Sequence, residues 1–208
     1  MPITNPTPQP RSHRTKAVIA FTAVFIAGLL TYFLTTRAAP HDTQNTPYDL
    51  TLLQQQPTLG ANGTRYDIVI DFECPYCDQF LSGPAYATIL EQAHAGNAQL
   101  NVTAAAFLNE RSHIKGNVYN CVADIAGPAA AIQLIPDLKT PGGDTNYWNA
   151  HAIDLGANHV DRDTLQACTQ DGALQERANT AFKTTGIPGV PAVFINNTQT
   201  PWSQVQPN

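Results

Sequence analysis

Arg65 to Cys77 reads RYDIVIDFECPYC, and the order of residue types in it describes a strand that runs into a helix. Arg65–Phe72 is rich in β-branched and aromatic side chains and has the length of a buried strand. In Cys74-Pro75-Tyr76-Cys77 a proline follows the first cysteine. A first helical turn tolerates proline, whose missing N–H would have no partner there, so a helix is expected from about Cys74. Two cysteines three apart at a helix start can close a small disulfide ring. The first sulfur then faces the unpaired amides and the positive end of the helix dipole, which stabilise a thiolate. A disulfide in that position exchanges readily with other thiols. The alternatives are a structural bridge or a zinc half-site. Zinc needs two further ligands at metal spacing. The chain has no second Cys-x-x-Cys and no two His at i, i+4 or closer, so no metal is assigned.

Outward from this stretch, Pro84–Ala95 continues as a helix after a break at Gly83-Pro84, and Leu100–Leu108 is a second strand candidate. Ser112–Leu138 is helical, with breaks at Gly127-Pro128 and near Pro136. A loop over Pro141–Asp144 precedes a short helix over Tyr147–Leu155. Asp161 or Asp163 caps the helix that carries Cys168. Leu174, Ala178, Ala181 and Phe182 share one face of a further helix that Gly186 ends. Ala192–Ile195 is a strand, with Asn196-Asn197 as its turn. The order is β-α-β, a helical block, then α-β: an α/β domain with a helical insertion over about 110–170.

The start of the chain sets the compartment. Ala17–Thr36 holds twenty residues without a charge, enough to cross a bilayer as a helix about 30 Å long. Arg11, Arg14 and Lys16 precede it and only Arg37 follows closely, which places the N-terminus in the cytoplasm and the body outside. A cleaved signal peptide would have a shorter apolar core and small residues at its exit, and Arg37 or Thr36 stands at the −3 place before Ala38-Ala39. The expected organisation is a cytoplasmic tail over 1–16, a single-pass transmembrane anchor over 17–36, a linker over 37–47 and a folded body over 48–208. Four of the eleven Lys/Arg precede residue 38 and all sixteen Asp/Glu follow it. So acidic a body excludes a nucleic-acid partner, which would require clustered cations. In an oxidising space the two remaining cysteines, Cys121 and Cys168, are expected to form a structural disulfide. Free buried thiols or a resolving role for one of them are the alternatives.

Asp71-Phe72-Glu73-Cys74-Pro75-Tyr76-Cys77 together with Gly186-Ile187-Pro188-Gly189-Val190-Pro191-Ala192-Val193-Phe194-Ile195-Asn196 resembles the DsbA-like thiol:disulfide oxidoreductases of the thioredoxin superfamily, most closely the membrane-tethered members of Gram-positive type. The resemblance implies a thioredoxin fold with an inserted helical domain, for which the separation of 117 residues from Cys74 to Pro191 leaves room. It implies that Cys74 is the surface nucleophile, Cys77 its buried partner, and Val190–Pro191 a cis peptide beside them. It further implies oxidation of exported unfolded proteins with free thiols and reoxidation by a membrane quinone-linked partner of DsbB or VKOR type, with no cofactor. A reductase or isomerase kept reduced by a membrane donor, and a non-catalytic chaperone on the same fold, are the competing readings. Three departures stand out. Pro75-Tyr76 brings no cation to the site. Ile68 occupies the place of the family's buried carboxylate, so proton handling is assigned to Asp71, the alternative being a solvent-exposed acid at the strand end. After Ile195 the usual last strand barely fits and the usual last helix does not: either this copy is truncated, or Asp49–Gln56 covers that sheet face.

Overall fold

The computed structural model describes residues 48–206. The tail, anchor and linker expected over 1–47 lie outside the described residues, and no described helix is long and apolar enough to cross a membrane.

The strand expected at Arg65–Phe72 is β1, Thr64–Ile70. It pairs in parallel with β2, Ala98–Ala104, and antiparallel with β3, Ala192–Ile195, which in turn pairs antiparallel with β4, Thr198–Thr200. The sheet order is β2-β1-β3-β4. Asn196 and Asn197, both at positive φ (47° and 70°), make the tight β3–β4 turn. Alternation along the strands gives the sheet two different faces. Tyr66, Ile68, Ile70, Leu100, Val102 and Val193 enter the main core. Val69, Phe194 and Ala105 enter a second, smaller one.

Helices α2, Pro75–Leu81, and α3, Pro84–His94, connect β1 to β2, each with proline in its first turn. The insertion follows β2: α4, Glu110–Ala126; α5, Pro128–Leu138; α6, Thr145–Gly156; and α7, Arg162–Asp171. The side chains of Asn109, Asp144 and Asp161 accept amide hydrogens at the starts of α4, α6 and α7. Gly127, at φ 88°, separates α4 from α5. The break expected near Pro136 is absent. Pro136 lies exposed in the last turn of α5, where its ring faces solvent and the helix runs on to Leu138. Helix α8, Ala173–Thr185, ends at Gly186 with φ 71° and returns the chain to β3.

β2 begins two residues earlier and ends four earlier than expected, and hydrogen bonding gives the reason. Ala105 still donates to the Ile70 carbonyl, but the Ala106 amide goes to Asn179 and those of Phe107 and Leu108 to Asp71. Side-chain acceptors thus replace the ladder there. The second sheet face is covered as expected from Asp49–Gln56: a short helix α1, Thr51–Gln54, brings Leu50 and Leu53 against Val69 and Phe194. A buried polar clamp holds this segment. Arg65 meets Asp67 through two hydrogen bonds of 2.8 Å, and Asn101 bridges Asp67 to the Leu53 carbonyl. After β4 the chain makes a single 3-10 turn, Trp202–Gln204, and buries Val205 in the main core.

Cys121 on α4 and Cys168 on α7 form a disulfide across 47 residues. Closing a loop of that length stabilises by about 4 kcal/mol through the unfolded chain. Cys121→Ser is therefore expected to lower Tm by roughly 10 °C, read by thermal unfolding, while thiol exchange at Cys74–Cys77 is retained. Unchanged Tm with lost exchange would reverse that assignment.

Candidate active site

β1 and α2 meet at the cysteine motif. Where the ladder stops, the Asp71 amide turns to Cys77 Sγ at 3.5 Å, and the Cys74 amide closes back on the Asp71 carbonyl at 3.0 Å. Cys74 has extended dihedrals and stands at the N-cap of α2, with Pro75 as the first helical residue. Its sulfur therefore lies at the end of the helix that carries free amides. Val190–Pro191 is cis, and the Val190 carbonyl accepts from Cys74 Sγ at 3.5 Å. Cys74, Cys77, Pro75, Val190 and Pro191 are thus brought to one place. Tyr76 points outward, 62% exposed, with its ring centroid 6.3 Å from that of Trp202.

Both cysteines are free thiols, and both are more enclosed than expected. Cys74 is 7% exposed and Cys77 1%. The expected surface position of Cys74 is therefore corrected to a nearly buried one: the Val190 carbonyl and the core beside it cover the sulfur. The asymmetry between the two remains. Burial pushes the Cys77 thiol far up; the Asp71 amide offsets part of this, and the nearby charges of Cys74 and Asp71 add to it.

Asp71 is fully buried rather than a solvent-exposed acid. One carboxylate oxygen accepts from the Glu73 amide and Ser112 Oγ, both at 2.8 Å; the other accepts from the Phe107 and Leu108 amides at 3.1 and 3.3 Å. The carboxylate ties the cysteine loop to the start of α4, and it is the Asp71 amide that meets a cysteine sulfur. These bonds give Asp71 a scaffolding place; none of them joins its carboxylate to a sulfur.

Sequence reasoning missed Glu73, Arg111 and Lys115. Glu73 receives Lys115 Nζ at 2.7 Å on one oxygen and Arg111 Nη2 on the other. Lys115 is completely buried, donates also to the Thr140 carbonyl, and sits 3.8 Å from the Trp148 ring centre. Burial alone would raise Glu73, but the two cations outweigh it and hold the carboxyl below its usual range. Burial lowers Lys115, partly offset by Glu73. A signal was present: Ser112, Lys115, Tyr119 and Val122 fall at helical spacing, which puts one cation in the buried stripe of α4.

A family model described as Thioredoxin matches residues 53–206. The chain belongs to this family. Solved structures with the same thioredoxin-like fold include DsbA from Mycobacterium tuberculosis in its reduced form (19% identity, 70% of this chain and 84% of that one, TM-score 0.60). Another is oxidised BdbD from Bacillus subtilis (16%, 74% and 88%, TM-score 0.61). A third is MdbA, a thiol-disulfide oxidoreductase from Actinomyces oris (20%, 70% and 75%, TM-score 0.53). No protein of curated function matches the sequence significantly. The likeness to DsbA-like proteins expected from the two motifs thus holds for the fold, including the helical insertion in this thioredoxin-family chain.

The unequal sulfurs lead to a direct expectation. In the reduced protein at pH 7, iodoacetamide should modify Cys74 well before Cys77, as read by peptide mass mapping. First modification at Cys77 would overturn the assignment of the outer thiol.

Proposed function

We propose that the chain is a DsbA-type thiol-disulfide oxidoreductase working as a disulfide oxidase. The observation that carries this is the joint placement of Cys74 at a helix N-terminus against the Val190 carbonyl, with Cys77 enclosed behind it. In the oxidised enzyme a client thiolate attacks Cys74 Sγ. The Cys74–Cys77 bond breaks, and Cys77 leaves with the electron pair and takes a proton. A second client thiolate then attacks the client sulfur of the mixed disulfide. The client gains a disulfide, Cys74 leaves, and both enzyme cysteines end reduced. The substrate strand lies along the Val190 backbone, where an extended peptide can add hydrogen bonds by β-augmentation.

The clients are exported unfolded proteins with free thiols. The proposed setting is the cell membrane, with the anchor over 17–36, the N-terminus in the cytoplasm and the catalytic body outside. Reoxidation then falls to a membrane quinone-linked partner of the DsbB or VKOR type. Direction of flux is the testable part. Thiol trapping in cells should find Cys74–Cys77 mostly disulfide-bonded, and Cys74→Ser should abolish disulfide formation in clients. A mostly reduced pair would replace the oxidase by a reductase or isomerase. Client oxidation that survives Cys74→Ser would remove the enzyme reading altogether.

A further inference from the structure

The loop before the nucleophile and the first turns of α4 hold four charged side chains in a small volume: Asp71 and Glu73, Arg111 and Lys115. Their formal charges cancel. Asp71 and Lys115 are fully buried and Glu73 nearly so, so solvent screens them weakly. Arg111 is half-exposed. The two cations also hold the insertion: Lys115 donates to the Thr140 carbonyl, and Arg111 Nη1 to that of Gly143 at 2.9 Å. Glu73, the residue directly before Cys74, is thus fixed by groups that belong to the helical block. Tyr76 contributes no charge to the motif. The charge nearest to Cys74 along the chain is therefore that of Glu73, a member of this cluster.

We propose that Glu73 and Lys115, neither of them hydrogen-bonded to a cysteine sulfur, are positioning residues that set the thiol–disulfide equilibrium of the Cys74–Cys77 pair. The proposal rests on the oxidoreductase reading above. Reduction of the disulfide brings two electrons and leaves negative charge or its equivalent in protons on the sulfurs. Removal of the Glu73 charge, which adjoins Cys74, leaves Asp71 against two cations and the cluster with a net positive charge, which favours the dithiol state. Removal of the Lys115 charge leaves a carboxylate less opposed, which favours the disulfide. A purely structural role for the pair would give no such opposite signs.

The test is equilibration of the full chain, purified in detergent, with defined glutathione ratios, the dithiol fraction being read by thiol trapping. Glu73→Gln should move the equilibrium constant toward the dithiol fivefold or more, about 20 mV for a two-electron couple. Lys115→Met should move it the other way, and the double variant should return within twofold of wild type. Arg111→Gln, at a half-exposed position, should shift it at least twofold in the direction of Lys115→Met, and this variant decides the matter should a buried-charge variant not fold. Shifts in the same direction for Glu73→Gln and Lys115→Met, or none above twofold, would overturn the proposal. If wild type itself does not exchange with glutathione, the oxidoreductase reading fails; if it exchanges and the variants do not move, only this inference fails.

Discussion

The constraint on which the rest of the site depends is the burial of the Asp71 carboxylate with all its donors in place. An unpaired carboxylate in a protein interior is costly. Here two oxygens collect three amides and one hydroxyl, from the cysteine loop, the β2–α4 connection and α4 itself. The same bonds end β2, aim α4 and shape the turn that presents Cys74. None of the four donors has another acceptor as well placed among the described residues. Loss of the carboxylate would leave the buried Ser112 hydroxyl without its acceptor, at a cost of about 1–3 kcal/mol, and free three part-buried amides from theirs. One side chain thereby couples strand length, insertion geometry and the position of the redox pair.

The Glu73–Lys115 pair illustrates a different balance. Removal of two charges from water costs several kcal/mol per ion, and the mutual attraction recovers this only with good geometry and further hydrogen bonds. Lys115 has those: a carboxylate at 2.7 Å, a carbonyl at 3.2 Å and an indole face. The pair is thus tolerated rather than strongly stabilising; loss of Glu73 strands the buried Lys115, whereas loss of Lys115 leaves Glu73 with Arg111. Its pH linkage has a fixed sign. The carboxyl of Glu73 is held below its unfolded value, so the associated stability is present above the usual glutamate range and is lost as pH falls through the folded-state value.

Most of the fold is legible in the sequence because it rests on local rules. The β-branched and aromatic run in RYDIVIDF, proline at helix starts, Asn and Asp caps, and glycines that stop helices each act over a few residues. What escapes such rules is long-range hydrogen bonding. The end of β2 depends on Asp71, some 36 residues earlier in the chain, and nothing in AAAFL announces it. Pro136 reads as a breaker, yet an exposed last turn absorbs it. At the site, the cysteines and Pro191 carry motif signals, while Lys115 is concealed by the habit of reading lysine as surface. Only its place in the apolar stripe with Tyr119 and Val122 gives it away. The enclosure of Cys74 is likewise a tertiary effect, since the Val190 carbonyl that covers it comes from 116 residues away.

The difference between the two sulfurs also bears on how a mixed disulfide would be resolved. Thiolate is the attacking species, and each pKa unit of upward shift removes about a factor of ten in its population below that value. Burial of Cys77 thus makes it a slow nucleophile toward a client held on Cys74. The same property makes it a poor leaving group in the first attack, so access rather than leaving-group quality selects the Cys74 sulfur for that step. Slow return by Cys77 lengthens the life of the mixed disulfide, and a second client thiol gains time to reach it. A site with two equally exposed cysteines would close back on itself sooner. On the oxidase reading proposed above, the enclosure of Cys77 by the Asp71 turn therefore favours transfer of the disulfide over its recapture.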